Sequence, residues 1–260
     1  MDLDPDEIEI QLRSPREVGV RMIALSAVSH LISPASTEFE EQLDGDDGEG
    51  EGDGLEDIAG ERFDWLSWMT QELLLDALSQ AERALLDSPL PNEPPGEQDD
   101  AGASGEALGA LAWSVRQSDL TVLDRGYPYL DLLDNIPSPW DDSDRFLSGL
   151  TLRSESEIAT ARESAEILSW RAQVEVERRQ ATGRDRSEIE AAIRDVAAEA
   201  ASAGVALIGD DGDIEVGGES IRTLSETVIA GMVAAARARL RSMNWLCGLG
   251  EWDDPTLTDI

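Results

Sequence analysis

The chain has no lysine. All 20 of its basic residues are arginine, against 56 aspartates and glutamates, for a formal charge of −36 over 260 residues. It has one histidine, one cysteine and no apolar run near the roughly 20 residues that a bilayer requires. Each shortage excludes something. The single cysteine, Cys247, excludes an internal disulfide, and with one histidine a structural zinc site is excluded as well. Phosphate contacts need clustered cations, so the charge argues against nucleic acid as a partner, and against anionic membranes for the same reason. The start, Met1-Asp-Leu-Asp-Pro-Asp-Glu7, is acidic where a secretory signal is basic. The expectation is a soluble cytoplasmic protein.

Self-repulsion at this charge destabilises a compact state in dilute salt. At about 1 M salt the Debye length falls to about 3 Å and the repulsion is largely screened. Arginine suits such conditions, because its planar fork pairs carboxylates bidentately and is weakly hydrated. The composition reads as that of a salt-accumulating, haloarchaeal-type cytoplasm. An acidic protein that binds a basic partner is the rival reading. Acid spread along the whole chain favours the first.

Helix starts are legible. Ser14-Pro-Arg-Glu17, Ser79-Gln-Ala-Glu82, Ser154-Glu-Ser-Glu157, Ser187-Glu-Ile-Glu190 and Thr223-Leu-Ser-Glu226 all fit the capping box. In that motif a hydroxyl accepts from a free backbone N–H and a glutamate reaches back to the cap. Five matches, each opening a periodic apolar stretch, outweigh the weakness of any one. They predict helices over about 15–32, from 61, after 79, over 106–117, 155–182, 187–203 and 226–247. Short helical pieces are expected near Tyr129 and Arg145. Gly204 reads as a left-handed cap. Between 205 and 221, Leu207-Ile208 and Ile214-Glu-Val216 flank Asp211-Gly212, a favoured hairpin turn. Two stretches, 44–54 and 89–105, are too polar to offset chain entropy, and read as disordered insertions in one domain over 1–260.

Three motifs resemble a known family. An opening helix carries Arg13-Ser14, Glu17-Val18 and Arg21. A middle helix carries Glu106-Ala-Leu108, Leu111 and Trp113. The chain closes on Arg239-Leu-Arg-Ser-Met-Asn-Trp-Leu-Cys-Gly248, then Trp252-Asp-Asp254 and Asp259. This pattern resembles the family called domain of unknown function 4272. The resemblance implies no established activity. It also marks two departures: Leu240 stands where the closing motif has histidine, and Ser169-Trp170 where members often place histidine before tryptophan.

The lone His30, late in the first helix, has no nucleophile elbow nearby in sequence and reads as structural. Cys247 lies on the apolar stripe of the last helix and reads as a buried, inert thiol. The glycines of 48–54 are surrounded by acids, so they fit neither a phosphate loop nor the spacing of a calcium loop. The best candidate is the cluster Arg239, Arg241, Asn244, Trp245, Trp252, Asp253 and Asp254. Its arginines either pair with Asp253 and Asp254 to pin a folded-back tail, or present donors and an indole wall to a small anionic ligand. No catalytic residue, cofactor or metal site is predicted, and a protein partner is possible. The expected architecture is mainly α: one helical domain of about six to eight helices, with a small β-hairpin and a docked C-terminal tail. The expected role is a non-catalytic interaction or structural module adapted to high salt. The alternative is an enzyme or small-ligand binder using the C-terminal cluster.

Overall fold

A computed structural model describes residues 10–32, 53–87, 99–124, 126–127 and 129–258. Nine α-helices occur among them: α1 Pro15–Ile32, α2 Asp53–Gln71, α3 Gln80–Asp87, α4 Asp99–Ser114, α5 Tyr129–Leu133, α6 Ser143–Gly149, α7 Glu155–Gln180, α8 Gly183–Ala203 and α9 Glu226–Leu246. One two-stranded antiparallel sheet joins β1 Glu215–Val216 to β2 Glu219–Ser220. The fold is mainly α, as the sequence implies.

The last helix organises the packing. α9 lies against α7 and α4, and α1 lies against α4. Ile229, Ala236, Leu240 and Met243 of α9 and Cys247, which caps its end, are buried, at the three- and four-residue steps and their multiples that keep one face inward. From Ala238 onward almost the whole circumference is buried, because the tail, α4, α7 and the segment before α1 close around it. α4 is buried nearly all round too, from Ala107 to Val115. Gly109 permits this. A Cβ there would lie 2.0 Å from Tyr127 Cγ, so only glycine lets that ring lie on the helix. A smaller apolar cluster, including Leu168, Ala172, Ile214, Val216, Ile221 and Ile229, fills the space beneath the hairpin.

Several boundaries differ from the sequence reading. α2 begins at Asp53 rather than near 61, and α4 at Asp99, inside the stretch read as the second insertion. The reason at α4 is that Ala103, Ala107 and Ala110 extend its apolar stripe backward, and Ala103 packs on the core. Residues 44–52 and 89–98 of the two expected insertions lie outside the described residues. So does Asp259, and the reading of His30 concerns a side chain outside the described part.

Three of the five capping boxes form, at Ser14, Ser79 and Ser154. The fourth does not: α8 already begins at Gly183, and the Ser187 hydroxyl donates to Gly183 O at 3.2 Å. Glu190 is drawn instead to Arg186 at 3.2 Å. At the fifth, Ser225 caps α9, and Thr223 donates to Ser220 O. The hairpin is displaced as well. Ile208 and Ile214 meet only as an isolated bridge across Asp211-Gly212. The ladder forms one turn later around Gly217 and Gly218, at φ +56 and +78. Two glycines satisfy a turn with two positive φ angles better than Asp-Gly does.

Candidate functional site

The C-terminal cluster divides among three places. The first is a clasp between the two ends of the chain. Gln11 N–H donates to Cys247 O at 3.1 Å and Arg13 N–H to Leu246 O at 2.9 Å, so the segment before α1 runs alongside the end of α9. Gly248, at φ +74, makes this approach possible: a Cβ there would stand 2.5 Å from Gln11 O. The Arg13 side chain then spans the join. Its Nε donates to Trp245 O and its Nη2 to Gly250 O, both at 2.9 Å, and its guanidinium lies 4.6 Å from the centre of the Trp245 ring.

Trp245 and Trp252 meet edge to face, with ring centres 5.5 Å apart at 81°. The far face of Trp252 carries the Arg21 guanidinium at 3.8 Å. Arg21 is 2% exposed, donates to Ala77 O at 2.7 Å, and forms a forked pair with Glu82. Glu82 is therefore shared between its own helix cap and Arg21. Burial lowers the pKa of Arg21, and Glu82 opposes that shift. Asp253 accepts from Gln80 N–H at 2.7 Å, at the first turn of α3. Asp254 accepts from Thr256 N–H and its hydroxyl, closing the 3₁₀ turn Pro255–Thr258. Asn244 reaches both ways: its amide donates to Leu257 O, and its carbonyl accepts from Arg162 Nε, each at 2.8 Å.

The second place is Arg239, which faces away from the tail. It is 2% exposed, pairs with Glu106 from Nε at 2.7 Å and Nη2 at 2.6 Å, and donates from Nη1 to Val122 O and Asp124 O, both at 2.6 Å. Tyr127 lies across its other face at 5.0 Å. The expected pairing of Arg239 with Asp253 or Asp254 does not occur, since α4 and the loop after it supply acceptors that reach it first. The third place holds Arg241, which is part-buried. Its Nε has no hydrogen-bond partner among the described residues, and its charge acts on Arg21. The structure thus brings together Asn244, Trp245, Trp252, Asp253 and Asp254, and separates them from Arg239.

The residues that hold the tail, Arg13, Arg21, Glu82 and Arg162, did not figure in the candidate cluster. A signal existed. Arg13 and Arg21 belong to the opening motif, Glu106 to the middle one and Arg239 to the closing one, and these positions meet in space. Motif residues bind motif residues.

A further polar centre gave no sign in sequence. Arg171, Glu175 and Asp213 are all 0% exposed. Arg171 donates to Asp213 at 2.8 and 2.6 Å and to Glu175 at 2.9 Å. Arg178 grips Glu175 with two bonds of 2.8 Å, and Arg179 adds one of 2.7 Å. Burial alone would raise the Glu175 pKa. The bonds from Arg178, Arg179 and Arg171 outweigh it and hold the carboxyl down to about 2. This network ties α7 to the hairpin. Cys247 is fully buried, and burial pushes its thiol up to about 11. Such a thiol is a poor nucleophile at neutral pH. A shallow cleft of about 180 Å³, lined by Glu166, Ile167, Trp170 and Val196, touches none of these groups.

Among the described residues no group of three or more His, Cys, Asp or Glu is placed to hold a metal ion, and no helix is long and apolar enough to cross a membrane. A family model described as Domain of unknown function (DUF4272) matches residues 3–188, which span the opening and middle motifs and stop short of the closing one. No curated protein and no solved structure matches the chain.

Proposed function

The chain belongs to the DUF4272 family, and from that premise we propose that it is a non-catalytic interaction module working in a salt-accumulating cytoplasm of the haloarchaeal type. One observation carries this reading: most polar groups of the motifs are already bonded within the protein, to one another or to neighbouring loops and helices. Arg239 is occupied by Glu106 and two carbonyls, Asn244 by Arg162 and Leu257, and Arg13 by the tail. Arginines so engaged order the scaffold, and they have few donors left for a substrate. The acidic charge and the lack of lysine support the high-salt habitat.

A second reading, a small anionic-ligand site, is favoured by Arg241, whose Nε has no partner among the described residues. A thermal-shift screen of carboxylates and phosphates at fixed high potassium chloride separates the two. The module reading expects no saturable rise in melting temperature. It also expects the tagged protein, recovered from its own cells in high salt, to hold a partner protein at fixed stoichiometry. A ligand that raises melting saturably, with the effect abolished in Arg241→Gln, would replace it.

A further inference from the structure

Two turns place large apolar side chains where glycine is preferred. Leu73 follows α2 at φ +58. Leu74 N–H donates back to Met69 O at 2.8 Å and Leu73 N–H to Thr70 O at 3.3 Å. This is the helix-ending arrangement whose left-handed residue is usually glycine. Trp140, at φ +73, is the third residue of Ser138-Pro-Trp-Asp141, a turn closed by Asp141 N–H to Ser138 O at 3.1 Å. Proline second and a positive φ third define a type II turn, whose third position favours glycine. Each side chain adds backbone strain relative to glycine, and neither offsets it by burial. Leu73 is 86% exposed and Trp140 56%. The turns adjoin, because the Ser143 hydroxyl donates to the Glu72 carboxylate at 2.5 Å. Asp141 and Asp142, both exposed, flank Trp140, while Asp76 and Asp144 nearby pair with Arg83 and Arg16, each at 3.0 Å.

The molecule itself shows what such a segment holds. Trp140-Asp-Asp142 repeats Trp252-Asp-Asp254. At the second copy, the Arg21 guanidinium lies 3.8 Å from the indole centre and Asp253 adds favourable charge. Arginine lies on tryptophan again at Arg13 with Trp245, 4.6 Å, and Arg153 with Trp113, 4.7 Å. Among the described residues, Trp140 has no arginine on its ring. Asp141 and Asp142 each use one oxygen to hold the turn, accepting from Ser138 N–H and Arg145 N–H, and a carboxylate can accept more.

We propose that Leu73 and Trp140 form a docking surface for a partner protein that presents an arginine to Trp140 and its aspartates, and an aliphatic side chain to Leu73. This deepens the interaction-module reading and rests on it. Charge complementarity selects the occupant. A second copy of the chain would bring another charge of −36 to an acid-flanked face, whereas an arginine-bearing segment matches it. Guanidinium stacked on an indole is a close contact and persists where salt screens longer-range charge.

The test uses the whole chain in high potassium chloride, with a synthetic helical peptide carrying one arginine and one leucine four residues apart. The indole N–H resonance that vanishes in Trp140→Gly reports the site. That resonance should shift saturably with the peptide, and at least tenfold weaker binding should follow replacement of its arginine by alanine. The Leu73→Gly/Trp140→Gly double variant should melt a few degrees higher than wild type, since strain is relieved, and should lose the peptide. A double variant that melts several degrees lower shows that the side chains support the fold, and overturns the proposal. So does an unshifted resonance. A dimer of the wild type, lost in the double variant by sedimentation, overturns the choice of partner. A partner from native cells that survives both substitutions sinks this surface but leaves the module reading standing. Absence of any stoichiometric partner sinks both.

Discussion

Replacing Trp252 by alanine removes the keystone of the terminal clasp. The indole is partly buried, with one edge against Trp245 and one face under Arg21. Complete truncation of a fully buried tryptophan costs about 3–5 kcal/mol. Part of this ring remains in water, so the cost falls to the bottom of that range or just below it, about 2–3 kcal/mol. The aromatic edge contact and the cation contact fall within that figure and do not add to it. Arg21 is not orphaned by the change, because Glu82 and Ala77 O still hold it. For a chain of this size each kcal/mol moves the melting temperature by about 2–4 °C, so a fall of about 5–10 °C is expected. Asp253→Asn retains an acceptor for Gln80 N–H at an exposed position and should cost about 0–1 kcal/mol. Thermal melts of wild type, Trp252→Ala, Trp252→Phe and Asp253→Asn at one high salt concentration make the comparison. The phenylalanine variant should fall between wild type and alanine. If Trp252→Ala melts with wild type, the tail is not held by its indole. If Asp253→Asn costs more than Trp252→Ala, charge rather than packing docks it.

Glu175→Gln leaves three arginines around a neutral amide and should cost about 3–5 kcal/mol near neutral pH. Because the folded carboxyl is held at about 2 against an ordinary 4.5, its stabilisation is complete above 4.5 and is lost as pH falls through about 2. The melting difference between wild type and this variant should therefore stay constant near neutrality and shrink in acid; a difference that grows in acid would contradict the sign. Circular dichroism across potassium chloride should show helix lost in dilute salt, given the charge of −36; full helicity and an unchanged melting point there would refute a salt requirement. Cys247 should resist an aromatic disulfide reagent in the folded protein and react on unfolding; fast native labelling would show that the end of α9 opens.

Local chemistry made the helices readable. Pro15 after Ser14, the Ser154 box and left-handed Gly204 act within one turn of chain, and the structure places helix ends at each. The failures share a cause. Ser187 and Thr223 carry the same residue pattern, but an upstream turn at Gly183 and a nearer serine at 225 determine where those helices begin. The hairpin moved because Gly217-Gly218 competes with Asp211-Gly212. The tail contacts join residues 232 and 237 positions apart, beyond any local pattern. The Arg171 network has no local signature, since Arg171, Glu175, Arg178 and Arg179 sit at helical spacings that suit surface pairs equally well. Its burial depends on Asp213, 42 residues away, which no spacing on α7 announces.

The missing lysine has a reason inside the molecule as well as outside it. Arg21, Arg171, Arg178 and Arg239 are buried, and each directs separate nitrogens at separate acceptors. Arg239 reaches a carboxylate with one edge and two loop carbonyls with Nη1 while an aromatic ring covers its face. An ammonium has three donors at one point and cannot span those positions. Among the described residues these four arginines lie inside against two fully buried carboxylates, Glu175 and Asp213, so the surface is slightly more acidic than the composition alone states. Salt then acts unequally. It screens the surface, where like charges repel over distances beyond the Debye length, and leaves the buried pairs, at 2.6 to 2.9 Å, nearly untouched. The same division bears on Trp140. An exposed indole beside Asp141 and Asp142 is the arrangement that Arg21 completes at Trp252, and among the described residues no guanidinium lies on the Trp140 ring, so a partner would supply one.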